Sequence, residues 1–349
     1  MLFRSMNLTL NTAPKFTYTY NKKVQIRIIS DLNIIKNELL KYIPEIKALI
    51  LAGGFGRGEG SVLLQDGLVQ PINDYDIYII LPEKKINFDS ELIRNNISKI
   101  IKIRQIDFDY IKINKLKFLK PTMANYDLKY ASYVFYGDKT ILENIPKIQA
   151  DKLKLREGRT PLLLYLISII QAYPSKNSSI NDIFWSYQQI SKSILGWSTA
   201  LLILEGKYHF SYIEREKRFN SSFNNSAWCK LVKEATRFKI SPKIEIKENI
   251  DELWHTNKNI HLHILKLFLS KYYNKNFKDW NQLIYIYKYD FENLVKNIYG
   301  YLINDKRFKK RIYLTIVELL LLLSKKQNDI DSVYMKILSE EVSKINKKY

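Results

Sequence analysis

Cysteine is nearly absent from this sequence, since Cys229 is the only one among 349 residues. A disulfide framework and a zinc site built on cysteines are therefore excluded, and a single thiol fits a reducing compartment. Long apolar runs are also missing. The most apolar stretch, residues 312–323, contains Glu318 and is shorter than the roughly 20 residues that cross a bilayer. The first residues contain no apolar core of a signal peptide, so we expect a cytoplasmic protein that does not enter a membrane.

Basic residues are abundant, with 56 Lys and Arg against 35 Asp and Glu, which gives a formal net charge of +21. Hydrophobic residues make up 46% and charged residues 26% of the chain, a balance typical of globular rather than disordered proteins. The positive excess favours anionic partners such as nucleotides, nucleic acids, phosphorylated metabolites or acidic glycans.

The length and the hydrophobic pattern predict two domains and an α+β fold. The first domain, residues 1–150, combines a small sheet with helices, and the second, residues 151–349, is all helical. Predicted helices of the first domain cover residues 24–43 and 89–101. Predicted strands are IKALILAGG, DYDIYIIL, QIDFDYIKI and YASYVFYG, with a hairpin whose turn is Asp66-Gly67. From residue 153 onward strand patterns almost disappear, and helices are predicted over residues 161–170, 182–204, 227–238 and 250–273 and after Phe291.

A glycine-dense turn, LAGGFGRGEG, follows the first predicted strand. Its glycines allow close backbone approach, and the N–H groups of such a turn can hold phosphate oxygens. Arg57 adds a guanidinium suited to a triphosphate. The turn matches neither the dinucleotide-binding pattern nor the P-loop, which requires a following lysine.

Two pairs of carboxylates lie on neighbouring predicted strands. Asp74 and Asp76 are two residues apart and therefore share one face of a strand, as do Asp107 and Asp109. Carboxylates this close repel one another unless a cation lies between them, and oxygen ligands of this kind suit Mg²⁺. The pattern therefore predicts a metal site for phosphoryl transfer, with Asp74, Asp76 and either Asp107 or Asp109 as ligands. Asp107 is the preferred third ligand.

The glycine pair, the Arg-Gly that follows, the Asp-x-Asp strand and the later strand carboxylate together resemble the nucleotidyltransferase superfamily of the DNA polymerase β type. The resemblance covers about residues 24–140. It implies a polymerase β-like catalytic domain in which two Mg²⁺ are held by Asp74, Asp76 and Asp107. In such enzymes an acceptor hydroxyl attacks the α-phosphorus of a nucleoside triphosphate and pyrophosphate leaves.

The same resemblance assigns nucleotide contacts to four residues of the turn, Gly53, Gly54, Arg57 and Gly58. Relatives often have Ser where this chain has Gly54, and the segment between Gly54 and Asp74 is longer than is usual in the family. The hairpin at Asp66-Gly67 accounts for the extra length.

The helical domain is similar to the acceptor-binding domains of small-molecule members such as the aminoglycoside nucleotidyltransferases. The expected reaction is transfer of AMP from ATP to a hydroxyl of a small molecule. Lys207 is the residue of this domain expected to reach the triphosphate. Two alternatives stay open. The acceptor could be RNA or a protein instead of a small molecule, and the net charge supports RNA. The chain could also be a non-catalytic nucleotide-binding module on the same fold.

Overall fold

The computed structural model describes residues 8–65, 67–72, 74–103, 106–173, 179–277, 279–280 and 282. The chain divides into two compact units. The first consists of Met1–Leu153, Tyr208–Lys217 and Arg237–Lys243, and the second of Lys154–Lys207, Arg218–Thr236 and Ile244–Tyr349. Two short segments from the C-terminal part of the sequence therefore belong to the first unit.

The first unit is a mixed α and β structure. Its elements up to residue 153 are α1 (Lys22–Tyr42), β1 (Ala48–Leu51), α2 (Gly53–Gly56), β2 (Val62–Gln65), β3 (Leu68–Pro71), β4 (Tyr75–Leu81), α3 (Ser90–Ile101), β5 (Ile106–Lys112), α4 (Met123–Tyr130) and β6 (Tyr133–Gly137), with 3₁₀ helices at Ile113–Phe118, Ile141–Asn144 and Ala150–Lys152. A four-stranded sheet has the order β5-β4-β1-β6. Strand β1 is antiparallel to both of its neighbours, whereas β4 and β5 are parallel.

The core of the first unit lies between helix α1 and the four-stranded sheet. Ile28, Leu32, Ile35 and Leu39 recur at helical spacing on α1, and all four are fully buried, which confirms the predicted amphipathic helix. Strand β1 is buried along its whole length, as expected for a central strand. This core supports the ends of β1 and β4, where the glycine turn and the acidic residues begin.

The predicted hairpin is present as a separate two-stranded sheet. Strands β2 and β3 pair antiparallel, with Gln65 opposite Leu68 across the turn. Gly67 in this turn has φ +77° and open space around its Cα. The hairpin occupies the sequence between the glycine turn and Asp74, so the extra length there folds as an element of its own.

The second unit is helical in its described residues. Helices α5 (Arg156–Gln171), α6 (Ile180–Leu204) and α9 (Ile250–Tyr273) pack against one another, and α7 (Tyr212–Ser222) and α8 (Ser226–Ile240) each divide between the two units. Helix α7 is not among the predicted helices. The helix predicted after Phe291 and the apolar stretch 312–323 lie outside the described residues. None of the helices that the structure describes combines the length and apolar character of a membrane span.

Candidate active site

The glycine turn brings the backbone of Gly53 against a carboxylate. Gly53 has φ +61°, and a Cβ placed on it would lie 1.7 Å from Oδ2 of Asp76. An L side chain is disfavoured at that φ and has no space there. Only glycine therefore fits this position, and the turn and the acidic strand meet at this contact.

Gly58 is the second position in the turn whose conformation favours glycine. Its φ is +78°, and an added Cβ would lie 2.9 Å from the backbone oxygen of Lys15. Gly54 is buried in α2, and its carbonyl accepts a hydrogen bond of 2.8 Å from the N–H of Glu59. The turn is thus held closely by the backbone around it.

The acidic residues meet at the start of two parallel strands. Strand β4 begins at Tyr75, directly after Asp74, and Asp76 pairs in register with Asp107 of β5. The pKa of Asp76 is raised to about 6, mainly by burial and also by the negative charges of Asp107 and Asp74, against the opposing charges of Arg57 and Lys239. The three predicted carboxylates, Asp74, Asp76 and Asp107, therefore form an acidic group whose members interact electrostatically within one small region.

Asp109 has different surroundings from Asp107. It pairs in register with Tyr78, and the two side chains share a hydrogen bond. Burial raises the pKa of Asp109, whereas the hydrogen bond from Tyr78 lowers it. Of the two residues left open by the sequence, Asp107 is the one placed beside Asp76.

The donor set is compatible with a divalent cation. Asp74, Asp76 and Asp107 offer only carboxylate oxygens, which Mg²⁺ prefers, and a cation would relieve the mutual repulsion that raises the pKa of Asp76. In the described part of the chain, no three His, Cys, Asp or Glu side chains are already grouped closely enough to hold a metal ion. The residues fit such an ion by chemistry and charge rather than as a preformed coordination shell.

Arg57 is directed into the protein and has carboxylate partners. Its side chain is 9% exposed, and Nη1 lies 3.1 Å from Oδ2 of Asp127, while Nε lies 3.8 Å from Oε2 of Glu59. The guanidinium also lies 5.1 Å from the centre of the Tyr212 ring. The positive charge of Arg57 lowers the pKa of Asp76. Arg57 therefore acts on the acidic group through its electrostatic field.

Glu59 joins the glycine turn to the first turn of α7. It is buried, with 4% exposure, and Oε1 accepts a 2.6 Å hydrogen bond from Oγ of Ser211, while Oε2 accepts one of 2.9 Å from the N–H of Tyr212. A carboxylate in this position satisfies free N–H groups at the start of a helix and interacts well with the helix dipole. Glu59 thus fixes α7 against the turn.

Lys239, in α8, is a charged residue of this region that the sequence did not indicate. The pKa of Lys239 is lowered, mainly because the residue is buried. Tyr212 and the carboxylates of Asp76 and Asp74 act in the opposite direction, whereas the positive charge of Arg57 lowers the pKa further. Nζ of Lys239 lies 5.8 Å from the centre of the Tyr212 ring, and the guanidinium of Arg215 lies 3.9 Å from it. Three cations therefore surround one aromatic ring beside the acidic residues.

The charges around Tyr212 also affect its own phenol. Burial raises the pKa of Tyr212, but the positive charges of Lys239, Arg215 and Arg57 outweigh burial and lower it.

In the sequence, Lys239 is one of many lysines and has no distinctive spacing to the Asp-x-Asp strand. Only the fold brings it to the acids.

Lys207, the lysine predicted to contact a triphosphate, belongs to the second unit. It is exposed, and its Nζ donates a 3.0 Å hydrogen bond to Oγ of Ser222. Its assignment to the nucleotide stays a prediction.

The sequence matches no protein-family model, and no curated protein matches it significantly.

Proposed function

We propose that this chain is a Mg²⁺-dependent nucleotidyltransferase with a polymerase β-like catalytic fold, which transfers AMP from ATP to a hydroxyl of a small molecule. The observation that carries the proposal is the arrangement of Gly53, Asp76 and Asp107. The carboxylate of Asp76 lies against the backbone of the glycine turn and beside Asp107 in register. A turn able to bind phosphate and an acidic pair able to bind Mg²⁺ are the two parts that nucleotidyl transfer requires.

In the proposed reaction, the acceptor oxygen forms a bond to the α-phosphorus, and the bond from that phosphorus to the bridging oxygen of pyrophosphate breaks. The hydroxyl proton passes to a carboxylate of the acidic group and from there to solvent. Asp74, Asp76 and Asp107 would hold Mg²⁺, which when bound neutralises charge on the transferring phosphoryl group. The glycine turn would orient the triphosphate through the N–H groups at its start, because those of residues 56–60 donate to backbone carbonyls.

Lys239 and Arg57 supply positive charge in this proposal. Lys239 interacts electrostatically with both Asp74 and Asp76, so an anionic substrate at these residues would also be attracted by the lysine. Arg57 is held by Asp127 and Glu59, so its contribution is a fixed positive charge behind the turn. Such preorganised charges stabilise a transition state without rearranging during the reaction.

The test is a transfer assay with each of the four nucleoside triphosphates, labelled at the α-phosphate, in Mg²⁺ or in excess EDTA. We expect label from ATP to appear on a small-molecule acceptor with one equivalent of pyrophosphate, and Asp76→Asn to abolish both. Label transferred to RNA instead, with binding that weakens steeply as salt rises, would support the RNA acceptor that the net charge of +21 favours. Binding of ATP without any pyrophosphate release would support a non-catalytic module and contradict the proposal.

The two lysines can be compared by kinetics. We expect Lys239→Ala to raise KM for ATP about tenfold, because a cation that attracts the triphosphate before and during the reaction contributes to binding in both states. Lys207→Ala is the matched variant, since it removes an exposed lysine from the second unit. An effect in Lys207→Ala alone would move the triphosphate contact to the residue that the sequence predicted.

A further inference from the structure

Tyr75 occupies the position between the two acids of the Asp-x-Asp segment and points away from them. Its side chain is fully buried, and its hydroxyl donates a 2.9 Å hydrogen bond to Oδ2 of Asp31 on α1. Neighbouring residues of a strand face opposite sides of the sheet. Tyr75 therefore faces the core, while Asp76 lies on the opposite face, beside Asp107. The hydroxyl thus ties the start of β4 to a helix on the other face of the sheet.

Asp31 is itself held by Arg27, whose single Nε–H is shared between the two carboxylate oxygens. Nε of Arg27 lies 3.0 Å from Oδ1 and 2.9 Å from Oδ2 of this carboxylate, and Nη2 of Arg27 donates to the carbonyl of Ile101 at the end of α3. Burial raises the pKa of Asp31, and the hydrogen bonds from Arg27 and Tyr75 lower it. A buried carboxylate held by several donors has little freedom to move, so it offers the tyrosine a rigid attachment.

The ring of Tyr75 also touches the glycine turn. Its centre lies 5.1 Å from that of Phe55, which belongs to the turn. A Cβ on Gly60 would lie 2.1 Å from Cδ1 of Phe55, so the phenylalanine ring packs on the backbone of Gly60. The carbonyl of Asp76 accepts a 2.8 Å hydrogen bond from the N–H of Ala52, the residue before the turn. Tyr75, a residue of the acidic strand, therefore contacts both the helix and the turn.

We propose that Tyr75 is a positioning residue, whose hydrogen bond to Asp31 and contact with Phe55 set the place of Asp74 and Asp76 relative to the glycine turn. The relevance of this placement to catalysis rests on the proposed function, but the placement itself does not. Tyr75 touches neither substrate nor metal. It acts through the backbone of β4, because fixing residue 75 fixes the Cα positions of the acids on both sides of it.

The first test uses hydrogen exchange in the metal-free protein. In Tyr75→Phe, which removes only the hydroxyl, we expect protection of the Ala52 amide to fall about tenfold relative to amides at the centre of β4, the effect of one lost buried hydrogen bond. The matched control is Tyr110→Phe on β5, which removes a hydroxyl bonded at 2.7 Å to Oγ of Ser90. The control should leave the Ala52 amide unchanged relative to the same reference amides. The proposal is overturned if the protection of the Ala52 amide, relative to amides at the centre of β4, is the same in Tyr75→Phe and Tyr110→Phe.

The second test measures Mn²⁺ affinity by calorimetry. We expect Tyr75→Phe to weaken binding about tenfold, the size of effect usual for residues that orient metal ligands, and Tyr110→Phe to bind as the wild type does. Asp31→Asn, which keeps an acceptor for the tyrosine hydroxyl, should retain more affinity than Asp31→Leu. Unchanged affinity in Tyr75→Phe would overturn the positioning role. A wild-type protein that binds no Mn²⁺ would contradict the proposed function. The hydrogen-exchange test would then decide by itself whether Tyr75 positions β4 relative to the glycine turn.

Discussion

At the scale of single residues, Asp76 is the point where stability and proposed function oppose each other. Its carboxylate lies against the glycine turn, and burial, together with the negative charges of Asp107 and Asp74, raises its pKa to about 6. An arrangement that keeps like charges together destabilises the metal-free fold and favours binding of a cation.

This opposition predicts a pH-dependent difference in stability. The folded protein holds a proton on Asp76 up to about pH 6, whereas the unfolded chain releases it near pH 4. The wild type should therefore lose stability as pH rises from about 4 to about 6, by on the order of 2–3 kcal/mol. Asp76→Asn should be more stable than the wild type at pH 7.5 and equal to it near pH 4, measured by urea denaturation without metal. A mutant that is less stable than the wild type at pH 7.5 would contradict the raised pKa of Asp76.

The contact between Gly53 and Asp76 predicts a second result. Gly53→Ala combines a positive φ with a clash against Oδ2 of Asp76, so we expect a loss of more than about 3 kcal/mol and a displaced carboxylate. Gly67→Ala is the matched control, because Gly67 has φ +77° and no atom within 4 Å of an added Cβ. It should cost only about 1–2 kcal/mol, the effect of conformation alone. Equal losses, compared by thermal unfolding, would show that the close approach at Gly53 contributes nothing.

At the scale of elements, α5, α6 and α9 are joined by a buried polar group around His261. Its Nδ1 lies 2.9 Å from Oγ of Ser193, and its Nε2 lies 2.8 Å from the carbonyl of Leu162. Asn257 donates to the same Ser193 oxygen at 3.0 Å. These bonds are directional, so they select one register among the three helices where apolar packing alone would allow several.

The same histidine predicts how this helical unit responds to acid. Burial lowers the pKa of His261 to about 4, against the hydrogen bond to Leu162, while an unfolded histidine titrates near 6.5. Stability should therefore be complete above about pH 6.5 and fall by on the order of 3 kcal/mol as pH drops to about 4. His261→Gln should weaken this dependence in calorimetric unfolding between pH 4 and pH 7. A slope identical to that of the wild type would assign the acid sensitivity to other groups.

At the scale of the whole molecule, the first compact unit is discontinuous in sequence. Tyr208–Lys217 and Arg237–Lys243 belong to it, although they follow residue 153 by more than fifty positions. Their contacts are buried and polar: Glu59 accepts from Ser211, Tyr208 donates to Asp127 at 2.8 Å, and Ser61 donates to the carbonyl of Lys239. The catalytic part proposed here therefore includes segments of both halves of the chain.

This organisation predicts that a chain ending at Leu153 does not fold independently. Glu59, Asp127 and Arg57 would lose buried partners, each at a cost of about 1–3 kcal/mol, against a total stability of about 5–15 kcal/mol. We expect no cooperative thermal unfolding and poor dispersion in an NMR spectrum. Glu59→Ala in the full-length chain removes the same contacts in part and should lower the melting temperature. A well-dispersed, cooperatively unfolding fragment would contradict the prediction.

Local patterns determine several of the elements that the structure describes. The spacing of Ile28, Leu32 and Leu39 is enough to specify an amphipathic helix, and the Asp66-Gly67 dipeptide is enough to specify a hairpin, because both depend on neighbours along the chain. The approach of Asp107 to Asp76 also follows from pattern, once two strands carrying acids are taken as neighbours. For the same reason the mixed α and β class is readable from the sequence.

Tertiary structure alone decides the charges that surround these acids. In the sequence, Arg57 belongs to a turn that could face a ligand, and the fold instead gives it Asp127 and Glu59 as partners. Lys239 has no pattern that links it to residues more than a hundred positions earlier, yet it interacts electrostatically with the carboxylates of Asp76 and Asp74. The physical reason is that periodicity reports which face of an element is buried, whereas electrostatic coupling depends on distances between elements that no local pattern encodes.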